Sequence, residues 1–323
     1  MKILNTGVIA GFSIGAMLLL AGCTGESQAA SGDERVVKVA TQRQPHLYAA
    51  YAYEQFAPEG VRIEVVPMSN STDEKNALLS GDVDFALLGV PTIIAGAAQG
   101  EDIELIASGA DGGSGIIGKP SITSTSELKG RKIGYVPGSS QEIVLRLTLE
   151  AAGLDPDTDV EMINIGYAEM ADALGRGDID AFSGAEVGAS VAKLAGAVSV
   201  ASPYETGVGR VNIGLATSSG LIESDAELVQ SLVETHIKAT NHLLSDKQAW
   251  VDGVQGQFTF DPEVLDSAVE NIWLRSSLDS QYISQVEELA RQMVAIGSIK
   301  SAPATADYLH SNFLEASETK ATP

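Results

Sequence analysis

An internal repeat constrains the fold of this chain more than any other feature of its sequence. The segment Ala77–Asp84 (ALLSGDVD) matches Ala173–Asp180 (ALGRGDID), 96 residues later. In the same register, the β-type run Arg35–Ala40 aligns with Arg131–Val136, and each run enters a polar loop. Several matched features at one offset argue against a chance similarity between generic α/β segments. The chain is therefore predicted to contain two units of the same kind.

Each unit alternates strands with helical patterns. Second strands are predicted at Val61–Val66 and Val160–Ile165, and each follows a helical pattern. This alternation indicates β-α-β-α-β units with parallel strands and right-handed crossovers. A chain of 323 residues also exceeds the usual size of one domain, which favours two lobes. After these units, a strand at Val211–Thr217 and three capped helices are expected to pack on the first lobe.

The N-terminus has the pattern of an export signal. Lys2 precedes an apolar run that ends in Leu-Ala-Gly-Cys at Cys23. This ending resembles the lipobox of prokaryotic lipoproteins, in which the cysteine is lipidated and becomes the mature N-terminus. Residues 1–22 are therefore predicted to be a lipoprotein signal peptide, and the small polar residues 23–34 a flexible tether. A retained transmembrane span is the alternative, because no charge interrupts the sequence between Lys2 and Glu26.

Composition excludes several classes of function. The formal net charge of −23 argues against nucleic-acid binding, which needs basic patches. Cys23 is the only cysteine, so neither an internal disulfide nor a thiolate metal cluster is expected. The four histidines are scattered at positions 46, 236, 242 and 310, without the spacing of a ligand pair. We expect no metal and no cofactor. The paired aspartates of each repeat, at the predicted starts of strands, are interpreted as turn formers.

Three segments resemble the ABC-transporter solute-binding proteins of the nitrate/sulfonate/taurine type. Leu128–Tyr135, followed by Pro137–Ser140, is similar to the entry into the second lobe of that family. Ala77–Gly89 and Ala173–Glu186 are similar to its first-lobe and second-lobe patterns. Many members carry an aromatic residue just before the acidic one, whereas Gly184 and Ala185 stand there in this chain.

The resemblance implies an α/β, periplasmic-binding-protein-like (type II) fold. Two lobes, each a mostly parallel sheet flanked by helices, are hinged by two crossover segments, which we place near Ile117–Ser124 and Pro203–Ile213. Lobe I is predicted to comprise residues 35–118 and 212–323, and lobe II residues 119–211. Both crossovers are rich in Gly, Pro and Ser, which suits a hinge and also suits ordinary loops.

Ligands of open parallel sheets bind beyond the carboxyl ends of the strands, and this rule selects the candidate residues. The candidate ligand-binding residues are Gln44, His46, Ser69, Asn70, Ser71, Thr72, Gly89, Thr92 and Ser114 in the first lobe, and Gly138, Ser139, Ser140, Tyr167 and Glu186 in the second. The serines and threonines are able to hold an anion at a helix N-terminus, but such residues also cap helices without any ligand. Glu186 would favour a ligand with an amine, or it is a surface charge.

The resemblance implies the solute-binding component of an ABC importer, held outside the cytoplasm by the lipid on Cys23. It would act as a monomer that captures an aliphatic sulfonate, taurine or nitrate-like solute and delivers it to a permease and its ATPase. A heterocyclic nutrient, such as a thiamin-pyrimidine or a riboflavin-like compound, is the alternative ligand. A ligand sensor that docks to a membrane receptor is the alternative function. Enzymes with a similar two-lobed fold depend on a cysteine-linked cofactor or a cysteine-rich motif, so we expect no enzyme.

Overall fold

The computed structural model describes the backbone of residues 34–321 and side chains as far as residue 317. The predicted signal peptide, Cys23 and all of the predicted tether except Glu34 lie outside the described residues. Within the described part of the chain, no helix combines the length and the apolar composition that crossing a bilayer requires.

Residues 34–321 contain eleven strands and twelve α-helices. The strands are β1 (Arg35–Thr41), β2 (Val61–Pro67), β3 (Phe85–Gly89), β4 (Glu104–Gly112), β5 (Ser114–Gly118), β6 (Lys132–Tyr135), β7 (Glu161–Asn164), β8 (Ala181–Ala185), β9 (Val198–Ala201), β10 (Val211–Thr217) and β11 (Ile272–Leu274). The helices are α1 (Ala49–Ala52), α2 (Ser71–Ser80), α3 (Val90–Ala98), α4 (Ser140–Ala151), α5 (Tyr167–Arg176), α6 (Gly188–Leu194), α7 (Ser219–Ser224), α8 (Ala226–Ser245), α9 (Lys247–Gln257), α10 (Pro262–Val269), α11 (Ser280–Ala295) and α12 (Asn312–Ala321).

The strands form two sheets of the same design. The first has the order β11-β4-β10-β3-β1-β2, and the second has the order β7-β6-β8-β5-β9. In each sheet three neighbouring strands are parallel: β2, β1 and β3 in the first, and β7, β6 and β8 in the second. The other pairings are antiparallel. Two helix-flanked α/β sheets confirm the predicted fold, and the predicted parallel arrangement is limited to three strands in each.

The repeat gives the two units identical helix ends. Gly81 ends α2 with φ 76°, and Gly177 ends α5 with φ 84°. A positive φ is strained for side chains other than glycine. The amide after each glycine donates to the equivalent carbonyl, Asp82 N to Ala77 O and Asp178 N to Ala173 O, both at 3.0 Å. Local capping chemistry therefore repeats together with the sequence.

The second aspartate of each repeat fastens the start of a parallel strand. Asp84 Oδ2 accepts the amide of Lys38 at 2.8 Å, and Asp180 Oδ2 accepts that of Lys132 at 3.1 Å. These carboxylates hold neighbouring strands in register at the end opposite to the polar loops. This placement agrees with a structural role for the aspartates.

Four of the strands with antiparallel pairings flank the two crossovers, β4 and β5 at the first and β9 and β10 at the second. β4 belongs to the first sheet, and β5 pairs with β8 and β9 in the second, so the chain passes between the sheets at Gly113. The predicted lobe boundary after Gly118 and the first predicted crossover therefore lie too late in the sequence. Sequence patterns missed this because β5 is a short strand that enters the second sheet one residue after β4 ends. The second passage lies between β9 and β10, within residues 202–210.

Candidate functional site

Four helices begin at one cleft between the two sheets. The residues that cap the N-termini of α2, α3, α4 and α5 are Asn70, Gly89, Ser139 and Gly166, and all four line the cleft. The first N–H groups of a helix have no intrahelical partner, and the helix dipole gives this end a partial positive charge. Two helix starts come from each sheet, so both walls of the cleft offer backbone donors.

The cleft has a volume of about 690 Å³. Twelve of the fourteen residues predicted from the sequence line it: Gln44, His46, Ser69, Asn70, Ser71, Thr72, Gly89, Thr92, Gly138, Ser139, Ser140 and Tyr167. Direct contact between these residues and a ligand stays a prediction. The volume is within the range of small-molecule sites, and the walls bring segments together that are distant in the sequence.

Two polar side chains of the wall formed by the second sheet have their hydrogen bonds satisfied within that wall. Ser139 Oγ donates to Val136 O at 2.6 Å and accepts the amide of Glu142 at 3.1 Å. Tyr167 donates its hydroxyl to Gln141 Oε1 at 2.7 Å, and burial raises the pKa of Tyr167 to about 12. These two side chains are therefore already engaged within the wall, and the N-termini of α4 and α5 offer backbone N–H groups to the cleft.

The wall formed by the first sheet is built around a buried carboxyl group. Glu74 is 0% exposed, its Oε2 accepts Nε2 of Gln42 at 3.0 Å, and the same Nε2 lies 3.3 Å from Ser71 Oγ. Ser71 Oγ in turn accepts the amide of Gly89 at 3.0 Å, which ties the start of α2 to the start of α3. Burial raises the pKa of Glu74 to about 8, so this side chain is mostly protonated at neutral pH.

Two side chains of the first wall carry unused hydrogen-bonding capacity. Gln44 Oε1 and His46 Nδ1 are buried and have no hydrogen-bond partner in the described part of the chain. His46 is 5% exposed, and burial lowers its pKa to about 4, so the imidazole is neutral. A buried polar atom without a partner is costly, and a ligand in the cleft is able to supply the missing bonds.

Charged side chains are scarce in the cleft. Among the described residues that line it, Asp73 and Lys75 are the ones with ionised side chains, and Lys75 is paired with Glu101. Attraction for an anion would therefore come from the helix N-termini and from neutral N–H and O–H donors. Within residues 34–317 no cluster of side chains has the composition of a metal site.

Two predicted site residues lie elsewhere. Glu186 is 0% exposed, and its Oε2 accepts both the amide (3.1 Å) and the hydroxyl (2.8 Å) of Ser190. Ala185, one residue earlier, lines the cleft, whereas Glu186 lines a different cavity together with Ser114. The sequence-based prediction placed these two at the cleft because it assumed that every residue at a strand end faces it, whereas the structure places them at the other cavity. Consecutive residues of an extended chain point to opposite sides.

Sequence reasoning also missed residues that the structure brings into the cleft. Gln141 links Tyr167 to Ser114, since its Nε2 donates to Ser114 Oγ at 2.9 Å. Asn212, at the start of β10, lines the cleft and donates to Gly112 O at 2.6 Å. Gln141 was within a loop that the sequence had singled out, but Asn212 had no such signal because its place depends on the pairing of β10 with β3 and β4.

Residues 44–249 match the family model described as NMT1/THI5 like. The formylaminopyrimidine-binding protein of Halalkalibacterium halodurans is 28% identical over 181 residues, which cover 52% of this chain and 53% of that protein. The nitrate import ATP-binding protein NrtC of Synechococcus elongatus is 32% identical over 104 residues, 32% of this chain and 16% of that protein. The chain therefore spans about half, or less, of the length of these relatives.

Solved structures share the fold over nearly the whole described chain. The ligand-binding component of an ABC-type import system from Staphylococcus aureus has a TM-score of 0.77 and 18% identity, and the match covers 88% of this chain and 99% of that one. The periplasmic aliphatic sulphonate-binding protein SsuA of Escherichia coli has a TM-score of 0.74 and 17% identity, with 86% and 92% covered. The desulfurization enzyme DszB also has this fold, with a TM-score of 0.68, 17% identity, and 89% and 99% covered.

The fold alone does not separate ligand binding from catalysis, because DszB shares it with transport proteins. The match to the family model is of a different kind, since it rests on sequence and covers more than half of this chain. It includes most of both cleft walls, from Gln44 to Asn212. The chain belongs to the NMT1/THI5-like family.

Proposed function

We propose that this protein is the extracytoplasmic solute-binding component of an ABC importer, and that it is not an enzyme. It captures a small organic anion, an aliphatic sulfonate, taurine or a nitrate-like solute, and delivers it to a permease with its ATPase. The observation that carries this proposal is the convergence of four helix N-termini, two from each sheet, on one cleft with few ionised side chains. The likeness in fold to SsuA and to the Staphylococcus aureus import protein supports it.

A matched pair of ligands tests the anion. Ethanesulfonate and ethanesulfonamide have nearly the same shape, but the first is charged and the second is neutral. We expect ethanesulfonate at 100 times its Kd to stabilise the protein by about 2.7 kcal/mol, and ethanesulfonamide to have a much smaller effect. Thermal unfolding with each ligand, and with taurine and nitrate, measures this. Equal shifts with the charged and the neutral ligand would contradict the proposed anion site.

A heterocyclic amine is the second candidate ligand, and one feature of the cleft favours it. Gln44 Oε1 and His46 Nδ1 have no hydrogen-bond partner among the described residues, and Gln44 Oε1 is able only to accept a hydrogen bond. An exocyclic amino group on a pyrimidine would satisfy such an acceptor. The formylaminopyrimidine-binding protein among the relatives supports this alternative. Stabilisation by 4-aminopyrimidine and not by ethanesulfonate would select it.

The site of attachment and the partners belong to the same proposal. We infer that residues 1–22 are removed, that Cys23 carries the lipid, and that the body acts as a monomer outside the cytoplasm. Replacement of Cys23 by alanine should release the protein from the membrane fraction without changing its thermal unfolding. Genes for a permease and an ATPase in one transcript with this chain would support import over docking to a receptor.

A further inference from the structure

Behind the cleft, a group of polar residues bridges the two sheets. We call Ser114, Glu186, Tyr204 and Asn271 the hinge-side cluster. Asn271 directly precedes β11 of the first sheet, and its Nδ2 donates to Ser114 O at 2.9 Å and to Glu186 Oε1 at 3.0 Å, both in the second sheet's half. Tyr204, in the second crossover, has its hydroxyl 2.9 Å from Asn271 Oδ1. One side chain therefore bonds to both halves of the molecule.

The hinge-side cluster lies on the opposite side of the crossover from the cleft. A Cβ on Gly113 would meet His46 and Asn212, which line the cleft. A Cβ on Gly112 would meet the ring of Trp273 and the carbonyl of Asn271. The four members of the cluster line a separate cavity of about 410 Å³ that shares no residue with the cleft.

Rotation of the lobes about Gly113 has opposite effects on these two sides. Closure moves the cleft walls together, and the same rotation moves groups behind the crossover apart. In residues 34–321 no hydrogen bond joins the two walls of the cleft, whereas the bonds of Asn271 join the halves behind it. These bonds are made in the arrangement that the structure describes, and a rotation that closes the cleft would lengthen them.

We propose that the hydrogen bond from Asn271 to Glu186 holds the lobes open, so that its loss shifts the ligand-free protein towards the closed arrangement. The inference rests on the lobe closure of the proposed function, but it does not depend on which ligand is bound. Asn271 is a positioning residue that touches no cleft atom. Glu186 keeps the two bonds from Ser190 when Asn271 is changed, and the adjoining cavity has room for water.

The test measures the distance between the cleft walls without ligand. Spin labels at Arg43→Cys and Glu169→Cys flank the first and second walls, both positions are exposed, and Cys23→Ala in all variants leaves these as the cysteines to label. Asn271→Asp retains the shape of the side chain, but a carboxylate oxygen replaces the Nδ2 donor beside Glu186. We expect the ratio of closed to open molecules, from pulsed electron paramagnetic resonance, to rise about tenfold.

A double variant supplies the sharpest control. In Asn271→Asp with Glu186→Gln the donor and the acceptor exchange places, so the bond between these two side chains re-forms while the bond to Ser114 O stays lost. The distances should therefore return most of the way to those of the wild-type sequence. Ser267→Ala, in the same cavity but with no bond across it, should have no effect. Asn271→Ser removes the donor without adding charge, and it gives the same direction of change if Asn271→Asp does not fold.

Unchanged distances in Asn271→Asp and Asn271→Ser would overturn the inference, as would a double variant that stays as closed as Asn271→Asp. The measurement is made on ligand-free protein, so its outcome is independent of the ligand experiments. A protein that closes in Asn271→Asp but binds no anion or heterocycle would retain this inference and lose the proposed function.

Discussion

The two walls of the cleft descend from the same repeat, yet they differ in how their polar groups are satisfied. At the offset of 96 residues, Glu74 of the first wall corresponds to Met170 of the second, and His46 corresponds to Glu142. Glu74 and His46 each retain a buried atom that has no hydrogen-bond partner within the described residues. Met170 has no such need, and Glu142 accepts the amide of Gly138 at 2.7 Å and pairs with Arg146 at 2.9 Å.

This difference leads us to expect that the two walls contribute differently to ligand binding. The second wall offers backbone donors from the N-termini of α4 and α5. The first wall carries side chains whose hydrogen bonds are incomplete among the described residues, so we expect it to be the wall that distinguishes one ligand from another. The repeat supplies the helix starts twice, and the side chains around them differ between the two copies.

The largest expected effect concerns the buried carboxyl group of the first wall. The pKa of Glu74 is about 8 in the folded protein and close to 4.5 when unfolded. Between these values the folded state binds more protons than the unfolded state, so stability is lost as pH rises from about 5 to 8. Relative to Glu74→Gln, the unmodified protein should lose about 4 kcal/mol across this window.

Urea unfolding at pH 5, 7 and 9 measures this loss. Glu74→Met, which introduces the residue of the second wall, should abolish the same pH dependence and thereby make the walls alike. Parallel curves of unfolding free energy against pH for Glu74→Gln and the unmodified chain would show that Glu74 is not protonated in the folded state.

The next effect compares two equally buried histidines. Burial lowers the pKa of both His46 and His236 to about 4. His236 is bonded on both ring nitrogens, to the Tyr53 hydroxyl and to Ser108 O, each at 2.7 Å. His236→Leu leaves these two groups unpaired and should cost about 1–3 kcal/mol of stability. His46→Leu breaks no such bond, so it should leave stability unchanged or raise it.

For ligand affinity, the substitution at His46 should have a larger effect than the substitution at His236. His46→Leu should weaken binding of the ligand that the thermal screen identifies by about two- to tenfold, the worth of one neutral hydrogen bond. His236→Leu should leave the affinity unchanged in its folded fraction. Calorimetry and denaturant unfolding on both variants measure these quantities. A His46→Leu variant that is as unstable as His236→Leu would make His46 a core residue and not a ligand contact.

The smallest effect is one in which the two walls should agree. Asn70 Oδ1 accepts the amide of Asp73 at 2.9 Å, and Ser139 Oγ accepts that of Glu142 at 3.1 Å. Each side chain caps a helix that begins at the cleft, so Asn70→Ala and Ser139→Ala should each destabilise the fold by about 1 kcal/mol. Thr72→Ala, inside the first turn of α2, is the matched control with little effect. A much larger loss of stability on removing one of the two caps would mean that the helix starts of the two walls also differ.

Much of the fold, including the helix starts at the cleft, was predictable from the sequence. The repeat indicated two α/β units, and the glycines at 81 and 177 marked the same helix end in both. Residues that follow strands and begin helices, such as Asn70 and Ser139, were placed at the cleft because parallel strands end at one edge of a sheet. These signals are local, since periodicity and capping depend on residues a few positions apart.

Only the tertiary structure decided which side chains face the cleft and which are buried behind it. Glu186 follows a strand as the rule requires, but it turns away from the cleft and meets Asn271, 85 residues later in the sequence. The crossover at Gly113 and the burial of Glu74 likewise depend on how β5 pairs with β8 and how α2 packs against the first sheet. Such contacts join distant segments, and a single sequence carries no local pattern that specifies them.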